Sequence, residues 1–240
     1  MFKKLLLLAY LLTVAPLFSV KNFVLISAPG SGKGTFSQYL IQKYNYIQIC
    51  PGDLLRAEIL AQTELGKKIQ PIVEKGEYID EEITCQIITK HLVMAIQQNK
   101  PFIIDGFPRT KASLEFLDNF FKQHNLVAQV SFVQLVVNDK TCIKRIAERQ
   151  VCNQCFQVYN RKTAASKAID KCDNCQAPLA LRKADTNEIA KQRLKYFHTN
   201  IEPLFHNLNL VNQHYNKQII DAEQPLLELQ LIYDNLIAGN

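Results

Sequence analysis

Short apolar runs alternate with segments whose apolar residues recur at helical spacing along most of this chain. The apolar runs span residues 22–26, 102–104, 130–137 and 217–221, with a shorter apolar piece at 47–49. The segments with helical character span residues 34–44, 54–62, 83–97, 140–150 and 226–237, and a further helical stretch reaches about Lys75. Buried strands that alternate with helices predict an α/β fold, in which helices cover both faces of a mainly parallel sheet.

Asp53 and Gly76 are predicted to mark helix boundaries. Asp53 precedes the helical segment 54–62 and is expected to cap it, because a short carboxylate side chain can accept a hydrogen bond from the first turn. Gly76 is expected to end the helical stretch before it, since glycine destabilises a helix interior.

A glycine-rich loop joins the first predicted strand to the first predicted helix. Its sequence, Ser27-Ala28-Pro29-Gly30-Ser31-Gly32-Lys33-Gly34-Thr35, is typical of a phosphate-binding loop. Small residues let backbone N–H groups turn inward around a polyphosphate, and the following helix presents its positive end. Lys33 can reach the outer phosphates, and Thr35 is placed to bind a magnesium ion. An ordinary turn between strand and helix is the alternative, and Ser27 stands where such loops usually begin with glycine.

Charged side chains collect at the edge of the sheet that this loop occupies. The run from Asp105 to Arg109 follows the strand 102–104, at the carboxyl edge where α/β proteins usually bind ligands. Arginines lie in or beside predicted loops at this edge, or flank the cysteine-containing segment: Arg56, Arg109, Arg145, Arg149, Arg182 and Arg193. Phosphoryl transfer needs several fixed cations. Asp105 is expected to hold the waters of a magnesium ion that Thr35 and the phosphates share.

Four of the cysteines form two close pairs in residues 151–181, a segment without helical periodicity. The pairs are Cys152 with Cys155 and Cys172 with Cys175. This spacing matches structural zinc sites, in which each pair forms a tight turn with both thiolates on one side. Two disulfide bonds are the alternative in an oxidising compartment. The other cysteines, Cys50, Cys85 and Cys142, are expected to be buried thiols.

The composition indicates a folded enzyme. The chain has 240 residues, 48% hydrophobic and 21% charged, which supports a sizeable core and excludes an intrinsically disordered protein. The formal net charge of +6 suits an anionic ligand. The sequence has no Lys/Arg-rich block with interleaved aromatic residues, so a nucleic acid partner is not expected.

These motifs occur together in an order that resembles adenylate kinases, specifically the long-lid type with zinc. They are SAPGSGKGT, PGDLLRAE, DGFPRT from Asp105 to Thr110, RIAER from Arg145, the two cysteine pairs, and the run from Arg182 to Arg193. The resemblance covers the chain from Asn22 to its last residue. It implies a P-loop nucleoside monophosphate kinase fold with a core at 21–240, into which an acceptor-binding flap at 50–79 and a zinc-stabilised lid at 148–185 are inserted. The implied activity is reversible transfer of a phosphoryl group from Mg-ATP to AMP, giving two ADP, by a monomer.

The resemblance also implies roles for particular residues. Catalytic roles fall to Lys33, Arg109, Arg149, Arg182, Arg193 and Asp185. ATP binding falls to Gly30, Ser31, Gly32, Lys33, Gly34, Thr35, Arg145, Arg149, Val158, Tyr159 and Gln224. AMP binding falls to Pro51, Arg56, Glu77, Tyr78, Ile79, Gly106, Phe107, Pro108, Arg109, Ser113, Arg182 and Arg193. Cys152, Cys155, Cys172 and Cys175 would bind zinc, while Thr35, and Asp105 through water, would bind magnesium.

The chain departs from the family pattern where bases are recognised. Pro51 replaces a threonine, which removes a hydroxyl group and a backbone donor. Ser113 replaces the glutamine that reads the acceptor adenine, and Gln224 replaces a commoner lysine near the donor adenine. Ala184 replaces the first of two lid aspartates and leaves Asp185. Two alternatives therefore stand beside an adenylate kinase: a nucleoside monophosphate kinase with an altered acceptor base, and a non-catalytic nucleotide-binding zinc protein.

Residues 1–20 have a charged start and an apolar middle, as secretory signals do. A cytoplasmic enzyme is expected nevertheless, because the activity needs ATP and zinc-binding thiolates favour a reducing compartment. Export is the alternative if this segment is used as a signal. Its apolar run is too short to predict a membrane-spanning helix, and no other segment is a candidate.

Overall fold

The computed structural model describes residues 21–74, 79–181 and 185–239. The strands are β1 (Asn22–Leu25), β2 (Ile47–Ile49), β3 (Phe102–Asp105), β4 (Val130–Val136), β5 (Arg149–Cys152), β6 (Val158–Asn160), β7 (Leu179–Ala180) and β8 (Asn216–Asp221). The α-helices are α1 (Lys33–Tyr44), α2 (Pro51–Leu60), α3 (Glu64–Glu74), α4 (Glu81–Gln97), α5 (Lys111–Gln123), α6 (Asp139–Ala147), α7 (Asn187–Tyr196), α8 (Glu202–His206), α9 (Leu208–Val211) and α10 (Leu226–Ala238). A π-helical turn at Phe197–Ile201 joins α7 to α8.

The central sheet has the strand order β2-β3-β1-β4-β8, and all its pairings are parallel. Side chains of β1 alternate between the two faces, and both faces are buried by helices. Phe23 and Leu25 pack with Phe36 of α1 on one face, while Val24 packs with Leu117 of α5 on the other. Burial on both faces is what parallel sheets require. The predicted α/β fold is confirmed.

The predicted strands agree closely with the observed ones. Each differs by no more than one residue at either end, and the apolar piece at 47–49 is the strand β2. These short runs of β-branched and aromatic residues are apolar without interruption, as strands buried on both faces usually are.

Two helix boundaries differ from the prediction by three residues, more than the others do. Helix α2 begins at Pro51, with Cys50 in the extended N-cap position, because proline suits a first turn whose N–H group has no partner within the helix. Asp53 therefore lies inside that turn and is not the cap. Helix α6 ends at Ala147, since Arg149 and the residues after it pair with β6 instead. Gly76 lies outside the described residues.

A second sheet is formed by the cysteine-containing segment. Its strand order is β6-β5-β7, and its pairings are antiparallel. Its small core consists of Cys152, Tyr159, Cys172 and Leu179, with Cys155, Cys175 and Ala177 packed against them. So few apolar side chains supply little hydrophobic stabilisation, and the four thiols occupy most of the core.

No helix within the described ranges is long and apolar enough to cross a lipid bilayer.

Helices α2 and α3 approach each other closely at Gly66. A Cβ atom built on Gly66 would lie 2.0 Å from the carbonyl oxygen of Glu58. The backbone N–H of Gly66 also donates to the Thr63 hydroxyl at 2.9 Å, and that hydroxyl donates to the Glu58 carboxylate at 2.6 Å. Only glycine fits this crossing without moving the backbone.

We expect Gly66→Ala to lower the free energy of unfolding by about 1–3 kcal/mol, because the added methyl group meets backbone atoms. Thermal unfolding measures the change. Gly52→Ala is the matched control, since a Cβ there would first meet the Arg56 guanidinium at 3.4 Å and alanine favours a helix. It should leave stability unchanged or raise it. Equal losses for the two variants would contradict the close approach at Gly66.

Candidate active site

The loop between β1 and α1 depends on two glycines. Gly30 has a φ angle of 82° and Gly32 one of 103°, in the left-handed region that other residues avoid. A Cβ atom on Gly30 would also lie 2.5 Å from the carbonyl oxygen of Cys142 in α6. Gly32 is the N-cap of α1, so the loop opens directly onto the positive end of that helix. This is the geometry of an anion-binding site.

Ser27 ties the same loop to the neighbouring strand. Its hydroxyl accepts a hydrogen bond of 2.8 Å from the backbone N–H of Leu135 in β4. The serine that departs from the usual loop sequence therefore has a structural partner, which sequence reasoning missed because the two residues are 108 positions apart.

Lys33 begins α1 and folds back over the loop. Its Nζ donates to the carbonyl oxygens of Ser27 at 2.9 Å and Ala28 at 2.7 Å. Burial lowers the pKa of this ammonium group, while the carboxylate of Asp105 opposes the shift. The lysine is held at the mouth of the loop by groups that a phosphate oxygen could replace.

Asp105 ends β3 and lies opposite Leu25 of β1 in the sheet. Its side chain is buried, and it accepts a hydrogen bond of 3.3 Å from Gln48 of β2. Burial raises the pKa of this carboxyl group, and the positive charge of Lys33 acts in the opposite direction. Asp105 and Lys33 thus form a desolvated pair of opposite charge at the carboxyl edge of the sheet, while Thr35 is exposed nearby in α1.

Arg145 of α6 lies against the loop on the side of β4 and β8. Its guanidinium donates to the carbonyl oxygen of Ser31 at 3.5 Å and to that of Ala222, just after β8, at 3.1 Å. Gln224 follows in the same connection, where its exposed side chain donates to Asp221 at 2.9 Å. These two predicted ATP-binding residues share one end of the site.

Strand β6 of the small sheet lies next to the start of α1, where the glycine-rich loop ends. A Cβ atom built on Gly34 would lie 4.0 Å from the Cβ of Val158 in β6. The Tyr159 side chain is buried inside the small sheet. Its hydroxyl accepts a hydrogen bond of 2.8 Å from the backbone N–H of Asp173 and lies 3.5 Å from the Cys172 sulfur. That hydroxyl therefore lies against the cysteine cluster.

Asp185 holds two of the predicted catalytic arginines. Arg149 donates to it through Nε at 2.8 Å and through a second nitrogen at 2.6 Å, and Arg193 of α7 lies 3.5 Å from the same carboxylate. The Asp185 side chain is only 3% exposed. A bidentate pair of this kind orients a guanidinium, so the cations on β5 and α7 are fixed together.

Several of the predicted AMP-binding residues lie around the carboxyl ends of β2 and β3. Arg109 donates through Nε to the carbonyl oxygen of Gly106 at 2.8 Å, and Arg56 of α2 forms an ion pair with Asp53. Other members of the set belong to the packed framework: Pro51, Phe107 and Pro108 are buried, and Ile79 packs against the main core.

Ser113 is occupied by the start of α5. Its hydroxyl accepts hydrogen bonds from the backbone N–H groups of Arg109 at 3.1 Å and Thr110 at 2.9 Å, while Thr110 caps the backbone of Ser113. The side chain is 1% exposed. The Ser113 hydroxyl therefore caps the start of α5.

Three of the predicted site residues, Glu77, Tyr78 and Arg182, lie outside the described residues.

The four paired cysteines converge on one point. One ligand atom from each of Cys152, Cys155, Cys172 and Cys175 lies within 4.8 Å of the others, and all four are free thiols. Two sulfur–sulfur distances are 3.4 Å, one between Cys152 and Cys175 and one between Cys155 and Cys172. Each of them links the first pair to the second. Four convergent thiols are a donor set that can hold a soft metal ion.

The remaining thiols are not alike. Cys142 is buried, whereas Cys50 and Cys85 are only half-buried, so the prediction of burial is correct for one of the three. Burial raises the pKa of Cys85 and that of Cys142, each to about 11. Thiols with such a high pKa are poor nucleophiles at neutral pH.

Sequence comparison with known proteins matches most of this chain to one family. A sequence profile of the adenylate kinase family matches residues 25–215. An adenylate kinase of Borrelia garinii is 39% identical over 183 residues, which are 76% of this chain and 83% of the relative. An adenylate kinase of Archaeoglobus fulgidus is 37% identical over the same shares of the two chains. One of Borrelia recurrentis is 33% identical over 212 residues, covering 87% of this chain and 95% of the relative.

We expect Ser113→Ala to lower the free energy of unfolding by about 1–3 kcal/mol, because two partly buried backbone N–H groups lose their acceptor. Ser37→Ala is the control. Ser37 is also buried in a helix, but its hydroxyl has no hydrogen-bond partner among the described residues, so its loss should be neutral or stabilising. Chemical denaturation compares the two variants, and equal losses would contradict the capping role of Ser113.

Proposed function

This chain belongs to the adenylate kinase family, and we propose that it catalyses the reversible transfer of the terminal phosphoryl group of Mg-ATP to AMP, giving two ADP. The order of strands in the central sheet carries the proposal. Most of the predicted AMP-binding residues follow β2 and β3, with Arg182 and Arg193 as exceptions after β7, whereas the predicted ATP-binding residues follow β1, β4 and β8 or lie in the small sheet. Because the strands of the central sheet are parallel, the loops that follow them lie at one edge, with Lys33 and Asp105 where the two groups of loops meet.

Donor and acceptor phosphates would lie on either side of that boundary. The β1–α1 loop and Lys33 would bind the ATP phosphates, while Arg56 and Arg109 would bind the phosphate of AMP. Arg149 and Arg193, oriented by Asp185, would neutralise charge on the transferred group, and we propose the same role for Arg182. Transfer between two such fixed oxygens depends on alignment and charge neutralisation and needs no covalent intermediate.

Magnesium would accompany ATP, held by the Thr35 hydroxyl and by Asp105 through water. When bound, it supplies positive charge to the phosphate oxygens. The buried carboxyl of Asp105 beside Lys33 supports this role, because a divalent cation would stabilise its charged form.

We further propose two inserted units in this kinase. Residues 50–79 would form the acceptor-binding flap, which contains α2 and α3. Residues 148–185 would form a lid, which contains the small sheet and would exclude water from the transferring phosphoryl group. The position of Val158 over Gly34 supports such a lid.

A structural zinc ion in the lid is also part of the proposal. The four sulfur atoms fit zinc, which prefers four thiolates in structural sites. Such a cluster favours a reducing compartment, so we propose a cytoplasmic monomer. Cell fractionation tests the cytoplasmic location, and an exported protein would contradict it. Light scattering tests the monomeric state, and a dimer would contradict it.

A nucleoside monophosphate kinase with an altered acceptor base is the second candidate. The observation that favours it is the Ser113 hydroxyl, which is engaged in capping α5 and leaves this position without a side chain that could read a base.

We expect AMP to be the best acceptor when ADP formation from Mg-ATP is compared with AMP, UMP, CMP and GMP. Lys33→Ala should reduce the rate by about 10²–10³-fold, because a fixed cation at the transferring group is lost. Lys43→Ala, which removes an exposed lysine of the same helix bound to Asp234, should keep the parent rate. A rate on AMP no better than on the other acceptors would favour the second candidate, and ADP formation that survives Lys33→Ala would contradict the assigned role.

We expect protein purified under reducing conditions to contain about one zinc ion per chain by elemental analysis, as four thiolates suit one tetrahedral ion. Cys152→Ser should lower the zinc content and the melting temperature, because metal binding contributes to folding free energy. Cys85→Ser, outside the cluster, should change neither. Metal-free protein with four titratable thiols in the lid would contradict the zinc site.

A further inference from the structure

Phe156 has an unusual backbone conformation for a large aromatic residue. It follows Cys155 in the first cysteine pair and has a φ angle of 61°. Residues with a Cβ atom are strained in the left-handed region, and glycine is the residue that adopts it without strain.

The second cysteine pair repeats the same turn. Gln176 follows Cys175, also with a φ angle of 61°. The backbone N–H of Phe156 donates to the carbonyl of Cys152 at 2.9 Å, and that of Gln176 donates to Cys172 at the same distance. The two turns therefore match in backbone geometry and differ in the side chain they present.

The Phe156 ring reaches out of the lid to the flap. Its centroid lies 5.8 Å from the central guanidinium carbon of Arg56 in α2, within the distance at which a cation is attracted to an aromatic face. Gln176, in contrast, is exposed. The strained position is thus filled by an aromatic side chain in the turn that contacts the arginine predicted to bind AMP.

Within residues 21–74, 79–181 and 185–239, few groups orient the Arg56 guanidinium. One terminal nitrogen forms the ion pair with Asp53, while its Nε is buried and has no hydrogen-bond partner among the described residues. The aromatic ring contacts the guanidinium from the lid, and the N–H groups at the edge are what an anion would bind. A buried donor without an acceptor is costly, which itself favours an anionic ligand here.

We propose that Phe156 is a positioning residue for the acceptor nucleotide: its ring holds the Arg56 guanidinium in place for the acceptor phosphate when the lid lies over the flap. This inference rests on the proposed function, since it deepens the role given there to Arg56. Phe156 acts through Arg56 and need not touch the substrate.

The test compares three variants in the full-length enzyme. Phe156→Gly removes the ring and relieves the left-handed backbone, so the melting temperature should stay close to that of the parent. The KM for AMP should rise by roughly 2- to 30-fold, the range that corresponds to a cation–π contact of about 0.5–2 kcal/mol. The KM for ATP should change by less than about twofold, because the contact between Phe156 and Arg56 involves the arginine assigned to the acceptor and does not contribute to ATP binding.

Two matched variants separate the ring from the backbone. Phe156→Tyr keeps an aromatic face and should retain the parent KM for AMP. Gln176→Gly makes the same backbone change in the twin turn and should leave both KM values unchanged.

Several results would overturn the inference. One is an unchanged KM for AMP in Phe156→Gly; another is an equal rise in the KM values for AMP and ATP. A rise in the KM for AMP in Gln176→Gly or Phe156→Tyr would be equally contrary. Each of these is seen in an enzyme that still converts AMP, so it leaves the proposed function intact. A parent enzyme that does not phosphorylate AMP would overturn both.

Discussion

The parallel pairing of β1 with β3 and β4 is the constraint on which the site depends. It aligns the carboxyl ends of these strands, so the loop before Lys33, the carboxylate of Asp105 and the start of α6 meet at one edge. Each strand then delivers a different chemical group to that edge. The order β2-β3-β1-β4-β8 also separates the loops after β2 and β3, proposed to bind the acceptor, from the loops after β1, β4 and β8, proposed to bind the donor.

Fixed charges give this edge its chemistry. The buried carboxylate of Asp185 orients Arg149 and lies close to Arg193, and Asp53 binds Arg56. Burial lowers the pKa of Lys33 and raises the pKa of Asp105, so it favours the neutral form of each group. A bound ion of opposite charge would favour the charged form again. Groups that are already oriented need little rearrangement when charged phosphates arrive, which is the basis of electrostatic catalysis.

The strands and the phosphate-binding loop could be predicted from the sequence because their signals are local: apolar runs for the former, glycines with Lys33 for the latter. Contacts between segments that are distant in the sequence could not be predicted from it. The bond from Leu135 to Ser27, the bridge from Arg149 to Asp185 and the stacking of Phe156 on Arg56 each join distant segments. Tertiary pairing also overrode a local pattern after Ala147, where helical spacing continues but the backbone enters β5. At Asp53 the error was local, since Pro51 starts the helix earlier.

The central claim is that one cleft binds two nucleotides with their phosphates facing each other. Two adenosines joined by five phosphates would span such a cleft, because they combine the triphosphate of the donor, the phosphate of the acceptor and one linking group. Calorimetric titration of the intact enzyme with this compound tests the claim most directly. We expect one molecule to bind per chain, in competition with both ATP and AMP. Binding of two molecules per chain, or competition with ATP alone, would contradict a shared cleft.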